Sequence, residues 1–398
     1  MDKIKILWVG DAVATTGFAT VSHNVLENLP KRTYDIHQLG VNYYGDPHEY
    51  SYKIYPAYTM GEVYGIKRLP KLIRAIDPDV LFFLNDAWII NMYLEELKRS
   101  EIELPPIGVY FPVDAEEHSA KWYQHFDVVQ SVCVYTNFAK SVVLQTGSEK
   151  IDPDKVHVIP HGIDTTQFYP VDNNIARASI YPLDRRNEFM NSFVILNANR
   201  NQPRKRIDIT SWAFREFQKD KDDVRIYLHM GITDQGVDII ELALRYGYSE
   251  KLVITANTST LPSVPVDRLN LVYNGTDVGL NTSEGEGWGL TNWEHAATGK
   301  LQMVPKSSAP EEIWKPGTAL FLETQGRTMF PNINTVGKDV SVDSVVENLE
   351  WAYNDWKTNS SKEINEIARA GYELVTDEAY SWKNTAKKFN KVIRGILR

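Results

Sequence analysis

The sequence predicts an α/β protein with two doubly wound domains of similar size. Its 398 residues are many for one hydrophobic core and natural for two. Short apolar segments alternate with amphipathic segments in the first half, and the alternation restarts after residue 170. This alternation is typical of a parallel sheet with helices on both faces. We therefore expect two such sheets that face each other across a cleft.

The N-terminal half contains the first set of predicted elements. A strand is expected at residues 4–9, followed by a loop to Gly17 and a helix that places Val21, Val25 and Leu29 on one face. Continuous apolar segments predict buried strands. They lie at residues 80–84, 107–111, 128–129, 132–134 and 156–160, and a helix is expected at 138–143.

Residues 161–170 are punctuated by Gly and Pro and predict a linker. Beyond it we expect strands at residues 193–196, 224–228 and 278–280, and helices at 207–217, 269–273 and 380–397. The domain boundaries follow from this pattern. The first domain is expected to span residues 1–165 and the second residues 166–376.

Composition excludes several classes of protein. The formal net charge of −9 argues against a protein whose whole surface binds nucleic acid. The single cysteine, Cys133, lies in an apolar segment and is expected to be buried. The N-terminus lacks the pattern of a signal peptide, and no segment approaches 18 apolar residues. We expect a cytoplasmic location.

One segment, residues 283–294, is the most informative in the chain. A predicted strand enters it and a helix-like segment leaves it, with glycines at alternate positions: Gly285, Gly287 and Gly289. Such glycines allow a backbone to approach a ligand closely, and a helix N-terminus favours a phosphate. Glu286 and Glu294 flank this anion site with seven residues between them. Carboxylates in that position suit the hydroxyls of a sugar or ribose, so the segment predicts a nucleotide-sugar pocket.

A second half of the anion site follows the first strand of the second domain. Residues 197–206 carry Arg200 and Lys205, five apart, on a loop where wound sheets place ligands. Arg and Lys neutralise a leaving pyrophosphate without a metal. Arg204 and Arg206 are expected to add positive charge there.

These motifs resemble those of family 4 retaining glycosyltransferases of the GT-B type, which have two Rossmann-like domains. Residues 283–294 match S-x-x-E-G-[FW]-G-L-x-x-x-E, and 159–170 match the interdomain I-P-[NH]-G-[VI]-D-x-x-x-F-x-P. Arg200 and Lys205 match G-R-x-x-x-x-K-G, except that Asn199 and Arg206 replace its glycines. The resemblance implies that the helix of residues 377–398 crosses back to the first domain, as Trp382 suggests.

The resemblance also implies roles for individual residues. Glu286 would contact hydroxyls of the donor sugar, Glu294 would bind the ribose, and Arg200 and Lys205 would neutralise the pyrophosphate. Further donor contacts are expected at Gly17, Gly287, Gly289, Leu290 and Thr291. In such enzymes the acceptor attacks the sugar from the same face from which the leaving group departs, so no protein nucleophile is required.

The acceptor side is less defined. Many relatives place a His directly after the strand that corresponds to residues 107–111, but here His118 comes several residues later. Asp114 lies closer to the strand end and is our candidate to accept a proton from the acceptor hydroxyl. The alternative is a helix cap or loop carboxylate. The basic segment 66–76 is either a packed helix or, as in relatives with lipid acceptors, a membrane-docking helix.

No metal or cofactor is expected. The D-x-D sequences at 77–79 and 152–154 each contain a central Pro and predict turns or caps. No His/Cys cluster has zinc spacing, Thr298-Gly299-Lys300 lacks the rest of a P-loop, and no G-x-G-x-x-G follows the first strand.

We therefore predict a glycosyltransferase that transfers a hexosyl or pentosyl group from a nucleotide-diphospho-sugar to a hydroxyl, with retention and without a metal. The acceptor is left open between a glycan, a lipid-linked glycan and a modified nucleobase in DNA. A non-catalytic nucleotide-sugar or glycan-binding protein is the alternative from another class. A phosphorylase-like enzyme finds no support in the sequence.

Overall fold

A computed structural model describes residues 3–58, 61–147, 149–181, 183, 185–330, 333–358 and 360–398. Contacts divide the chain into two compact units. The N-terminal unit comprises residues 1–162, 333–335 and 378–398, and the C-terminal unit comprises 163–332 and 336–377. The first division, after Gly162, lies close to residue 165, where the sequence predicts a boundary.

The N-terminal unit is built on a parallel sheet. Its strands within the described residues are β1 (Ile4–Asp11), β2 (Tyr34–Val41), β3 (Lys53–Pro56), β4 (Val80–Leu84), β5 (Ile107–Phe111), β6 (Ser131–Val134) and β7 (Val156–Val158). They are ordered β3-β2-β1-β4-β5-β6-β7. The helices between them are α1 (Gly17–Asn28), α2 (Leu69–Ile76), α3 (Ala87–Arg99) and α4 (Asn137–Gly147).

The C-terminal unit repeats this plan. Its parallel strands are β8 (Phe193–Asn197), β9 (Val224–Leu228), β10 (Leu252–Ile254), β11 (Val278–Leu280), β12 (Leu301–Pro305) and β13 (Leu320–Leu322), in the order β10-β9-β8-β11-β12-β13. A separate antiparallel hairpin consists of β14 (Thr324–Met329) and β15 (Val336–Val340).

The C-terminal unit also contains the helices that alternate with these strands along the chain. In chain order they are α5 (Asn173–Ile180), α6 (Arg186–Met190), α7 (Ile207–Phe217), α8 (Ile239–Arg245), α9 (Val266–Asn274), α10 (Leu290–Ala296), α11 (Ser308–Ile313), α12 (Val342–Thr358) and α13 (Lys362–Val375).

Each sheet has a point where the strand order reverses. In the N-terminal unit it lies between β1 and β4, and in the C-terminal unit between β8 and β11. Helices that follow the two strands at such a point diverge to opposite faces, which opens a crevice at the carboxyl ends of the strands. Each unit therefore offers one ligand edge.

The last helix, α14 (Trp382–Ile396), packs in the N-terminal unit although it follows the C-terminal unit in sequence. Phe389 lies edge-on to Trp8 of β1 with ring centroids 5.8 Å apart, and Thr385 Oγ1 donates to the carbonyl of Pro160 at 3.0 Å. The predicted fold class, with two parallel-sheet domains and a helix that returns to the first, is confirmed.

Some predicted elements differ in detail. Val128 belongs to a short 3-10 turn rather than a strand, and α10 begins at Leu290, so that Glu294 lies inside the helix. Helix α2 buries Leu72 and Ile73, which favours a packed helix over one that docks on a membrane. No described helix combines the length and apolar character needed to span a bilayer.

Candidate functional site

Two loops meet at the strand reversal of the C-terminal unit. Strands β8 and β11 are parallel neighbours, with Ile195 opposite Val278. Both therefore end at the same edge of the sheet. The loop after β8 carries the predicted cations, and the loop after β11 carries the predicted carboxylate Glu286. The sequence-predicted residues Lys205 and Glu286 are brought into direct contact there.

The pair of Lys205 and Glu286 is almost fully buried. Lys205 Nζ donates to Glu286 Oε1, and the two side chains are 9% and 5% exposed. A second cation, Arg204, lies 3.5 Å from Glu286 Oε2 and donates to the carbonyl of Gly285 at 3.0 Å. Burial alone would raise the pKa of Glu286, but Lys205 and Arg204 outweigh it and hold that pKa at about 2. Glu286 is consequently a fixed carboxylate at neutral pH.

Neutral groups complete the surroundings of Glu286. Its backbone N–H donates to Ser308 Oγ at 3.0 Å, and Asn281 Nδ2 donates to its Oε1 at 3.1 Å. Ser308 adopts a left-handed φ of 50° at the start of α11. Both the backbone and the side chain of Glu286 are therefore held in place.

Arg200 stands in a different environment from Lys205. Its guanidinium makes a two-point contact with Asp234, Nε to Oδ2 at 2.6 Å and Nη2 to Oδ1 at 3.2 Å. The Arg200 side chain is 42% exposed, whereas Asp234 is 4% exposed. A buried carboxylate thus anchors one edge of the guanidinium, and the exposed part is accessible to an anion.

Arg206 occupies the position where the resembled pattern has glycine. Its φ of 49° lies in the left-handed region, which explains why glycine suits this position. Three carboxylates hold the arginine there: Asp208, Glu284 and Asp339. The expectation that Arg206 adds positive charge to the site is wrong, because these carboxylates neutralise it.

The other departure from the pattern, Asn199, is buried in the same loop. Its backbone N–H and its Nδ2 both donate to Asn197 Oδ1 at 3.1 Å. Thr291 Oγ1, at the start of α10, lies 3.4 Å from Asn199 Oδ1. Asn199 therefore connects the loop after β8 to the predicted donor-binding residue Thr291.

Glu294 lies in α10 beside Tyr273 of α9. The Tyr273 hydroxyl donates to Glu294 Oε2 at 3.0 Å. Burial raises the pKa of Glu294 to about 7, and the Tyr273 hydrogen bond opposes this shift only in part. Glu286 and Glu294 therefore differ in charge near neutral pH.

The predicted glycines and backbone donors lie on the approach to α10. Gly289 directly precedes the helix with a left-handed φ of 91°, a conformation that favours glycine. Gly287 lies in the buried loop between Glu286 and Gly289, and Leu290 is the first helical residue.

The acceptor-side candidates lie in the N-terminal unit. Gly17 is the exposed first residue of α1, which Thr16 caps. Asp114 is half-buried in the loop after β5. Because β4 separates β1 from β5, these two candidates follow strands that are not neighbours. His118 is buried, and its Nδ1 lies 2.7 Å from the Tyr123 hydroxyl; burial lowers its pKa to about 4.

The D-x-D sequences have structural roles, as predicted. Asp77 ends α2, Asp79 Oδ2 accepts from the Lys5 N–H at 2.7 Å, and Asp152 caps the short turn Pro153–Lys155. Across the described parts of the chain, no three His, Cys, Asp or Glu side chains gather in a way that would hold a metal ion.

Sequence relatives share part of the chain. A D-inositol 3-phosphate glycosyltransferase of Segniliparus rotundus is 29% identical over 160 residues, which are 39% of this chain and 32% of the relative. The enzyme of the same name from Nocardia farcinica is 30% identical over 154 residues, 37% of this chain and 32% of the relative. The match thus spans about a third of each relative. No family model matches the chain.

Solved structures resemble the whole chain. A glycosyltransferase from Rickettsia africae superposes with a TM-score of 0.71 at 17% identity over 100% of both chains. Sucrose-phosphate synthase from Thermosynechococcus elongatus superposes with a TM-score of 0.73 at 15% identity over 99% of both chains. The chain has the GT-B fold. The resemblance to GT-B glycosyltransferases that the motifs predict is confirmed.

Sequence reasoning did not find several residues of this GT-B chain that hold the site together. They are Asp234, Tyr273, Asn281, Asn292, Gln302 and Asp339. Each is a common polar residue outside the recognised motifs or at a motif position that the pattern leaves unspecified. Only the folded chain shows that they contact the predicted site.

Proposed function

We propose that this chain is a retaining glycosyltransferase that transfers a hexosyl or pentosyl group from a nucleotide-diphospho-sugar to a hydroxyl acceptor without a metal. The observation that carries the proposal is the contact between Lys205 and Glu286 at the strand reversal of the C-terminal sheet. It combines cations for a diphosphate with a carboxylate for sugar hydroxyls at the edge where such sheets bind nucleotides.

The donor pyrophosphate would lie against Arg200 and Lys205. Arg200 is oriented by Asp234 and partly exposed, so it can bind phosphate oxygens through its remaining N–H groups. Lys205 is a point charge that a diphosphate could share with Glu286. Solved neighbours support a nucleotide donor: the crystal structure of Anabaena HepE is a complex with UDP, and the catalytic domain of Arabidopsis starch synthase IV is bound to ADP and acarbose.

Glu286 would accept hydrogen bonds from donor-sugar hydroxyls, and Glu294 would accept them from the ribose. A carboxylate with a pKa of about 2 keeps its negative charge beside a sugar that gains positive charge in the transition state. We propose that the acceptor hydroxyl attacks the sugar from the same face from which the diphosphate departs. We propose that Asp114 receives the proton of that hydroxyl. Retention and the role of Asp114 rest on the family resemblance.

The acceptor is proposed to be a carbohydrate or polyol hydroxyl, supported by relatives that are named for D-inositol 3-phosphate. A lipid-linked glycan and a modified nucleobase in DNA are the alternatives. We propose a cytoplasmic location, since the single cysteine, Cys133, is buried and forms no disulfide within the described residues.

A donor screen tests the proposal. Sugars carried on UDP, GDP, ADP and CMP would be incubated with the protein in EDTA, and nucleotide release would be followed. We expect turnover of at least one diphosphate donor in EDTA, and turnover about 100-fold slower in Glu286→Gln. Activity that vanishes in EDTA and returns with manganese would refute metal independence. Donor binding without any release would favour a non-catalytic binding protein.

A further inference from the structure

Three buried amide side chains connect the core of the C-terminal sheet to Glu286. They are Asn281 after β11, Asn292 in α10 and Gln302 in β12, and each is at most 5% exposed. A buried amide is costly unless its donors and acceptors are satisfied, so such a group indicates a defined hydrogen-bond pattern. We refer to these three residues as the amide ladder.

Backbone groups at both ends fix the direction of the ladder. Gln302 Nε2 donates to the carbonyl of Lys300 at 3.0 Å, which leaves Gln302 Oε1 to accept from Asn292 Nδ2 at 2.9 Å. Asn292 Oδ1 then accepts from Asn281 Nδ2 at 3.0 Å. At the other end, the backbone N–H of Ser283 donates to Asn281 Oδ1 at 2.9 Å.

These contacts determine which way the Asn281 amide faces. Because its oxygen is engaged by the Ser283 N–H, its nitrogen must serve the other two partners, Asn292 Oδ1 and Glu286 Oε1. The Glu286 contact is 3.1 Å. Reversing the amide would set its oxygen against a carboxylate oxygen. The amide ladder therefore orients the Asn281 side chain so that one of its N–H groups donates to Glu286.

We propose that the amide ladder positions Glu286, and that Asn281 is the positioning residue in direct contact with it. Asn281 and Lys205 both donate to Oε1, which leaves Oε2, beside Arg204, as the oxygen for a ligand hydroxyl. The catalytic meaning of this arrangement rests on the proposed function. The structural coupling between Asn281 and Glu286 does not.

The first test is Asn281→Asp, which keeps the acceptor for the Ser283 N–H but removes the donor to Glu286. Its matched control is Asn274→Asp, because Asn274 is also buried, accepts from the Val171 N–H and donates from Nδ2 to backbone carbonyls. We expect Asn281→Asp to lower kcat at least ~10-fold with nucleoside diphosphate affinity within about 2-fold. The acid limb of its pH profile of kcat should move to higher pH, since Glu286 loses a hydrogen-bond donor and has the negative charge of the introduced aspartate beside it.

The control should leave the acid limb in place, although it can cost stability. If Asn281→Asp changes kcat and the acid limb no more than Asn274→Asp does, the positioning role is refuted. A general structural role would affect stability in both variants and the pH profile in neither.

A second test needs no activity. Unfolding equilibrium constants would be measured for Asn281→Asp, Glu286→Gln and the double variant, in which donor and acceptor are exchanged. If Asn281 donates to the charged Glu286, the unfolding constant of the double variant should differ by about tenfold or more from the value that the two single variants predict. Additive effects would refute the ladder. A wild-type protein that releases no nucleotide would refute the proposed function. The comparison of these three variants would still show whether Asn281 and Glu286 are coupled.

Discussion

Two loops of the molecule occupy equivalent positions in their sheets and differ in charge. The loop after β1 and the loop after β8 both follow the first strand of a sheet whose order reverses beside that strand. The N-terminal loop, residues 12–16, contains no charged residue. The C-terminal loop, residues 198–206, contains four cations: Arg200, Arg204, Lys205 and Arg206.

Hydrogen bonds to His23 and Asp11, with no cation among the partners, hold the N-terminal loop. The Val13 N–H donates to His23 Nε2 at 2.9 Å while Val13 adopts a left-handed φ of 50°, which is uncommon for a β-branched residue. Burial lowers the pKa of His23 to about 4, so the ring is neutral and can accept this bond. Asp11 Oδ2 accepts from Thr16 Oγ1 at 2.7 Å and from Asn42 Nδ2 at 3.1 Å.

Ion pairs hold the C-terminal loop. Each of its cations contacts at least one carboxylate, and the side chains of Asp234 and Glu286 are almost fully buried. Topology provides two ligand edges, and of these two loops only the C-terminal one carries cations. We therefore propose that the diphosphate binds at the C-terminal loop.

The largest expected effect comes from removing a cation of the C-terminal loop. Arg200→Ala and Lys205→Ala should each slow transfer at least ~100-fold, since one transition-state charge partner contributes about 2.7–4 kcal/mol. Only Lys205→Ala should also destabilise the fold strongly, by about 3–5 kcal/mol, because it leaves the buried charge of Glu286 with fewer partners. Donor turnover and urea unfolding measure the two effects.

The matched control for these variants is Lys219→Ala, since Lys219 pairs with Glu216 and is 57% exposed. It should change neither turnover nor stability appreciably. Near-normal turnover of Arg200→Ala or Lys205→Ala on the true acceptor would show that the pyrophosphate does not bind there.

The two glutamates should respond differently to substitution. Glu286→Gln should lower kcat about 100-fold with a smaller effect on affinity, because its contact strengthens in the transition state. Glu294→Gln should mainly raise the donor KM, by about tenfold, because the ribose changes little during the reaction. Titration with free nucleoside diphosphate separates them, and its affinity should fall only for Glu294→Gln. The opposite pattern would exchange the two roles.

A substitution of His23, the α1 residue that accepts from the N-terminal loop, sharpens the comparison. His23→Phe removes the acceptor of the Val13 N–H and should destabilise the fold by about 1–3 kcal/mol. Nucleoside diphosphate affinity should remain within about 2-fold, since this loop carries no cation. Chemical unfolding and calorimetric titration test the two statements. A loss of affinity as large as that of Arg200→Ala would place the diphosphate at the N-terminal loop instead.

The smallest expected effect is a proton released on binding. The raised pKa of Glu294, about 7, means that it is largely protonated at pH 6. Ribose hydroxyls that donate to its carboxylate lower that pKa, so binding should release up to about one proton and strengthen as pH rises from 6 to 8. Calorimetry in buffers of different ionisation enthalpy detects the proton. Glu294→Gln should abolish the proton release that is due to Glu294. A variant that releases as many protons as the wild type would contradict the assignment of Glu294 to the ribose.

The same pKa affects stability with a defined sign. The folded-state pKa of Glu294 lies above its unfolded value of about 4.5, so ionisation opposes folding above pH 7 and the penalty disappears as pH falls below about 4.5. For Glu286 the sign is reversed. Its lowered pKa stabilises the fold above about pH 4.5, and that contribution is lost as pH falls through about 2.

Buried elements with continuous apolar sequence could be predicted from the chain alone. β4, β5 and β9 have the expected bounds because both of their faces are covered, which leaves a continuous apolar pattern. The spacing of Arg200, Lys205, Glu286 and Glu294 also identified the two loops that meet in the structure.

The partners of these residues could not be predicted. Nothing in the spacing shows that Lys205 is buried on Glu286 while Arg200 is bound by Asp234, since both contacts depend on tertiary packing. The amide ladder has no local signature, because Asn281 follows an apolar segment and Gln302 interrupts one as ordinary polar residues would. The neutralisation of Arg206 could not be predicted either, because Glu284 and Asp339 are distant in sequence and the nearby Asp208 has no feature that marks it as a partner.

Binding of nucleotides to the wild type and to Arg200→Ala tests the central claim most directly. UDP, GDP and ADP would be titrated in EDTA beside the corresponding monophosphates and nucleosides. We expect at least one diphosphate to bind about tenfold or more tightly than its nucleoside, and Arg200→Ala to remove most of that difference. A wild type that binds no diphosphate, or that binds diphosphate and nucleoside equally, would contradict the assignment of the pyrophosphate to the loop after β8.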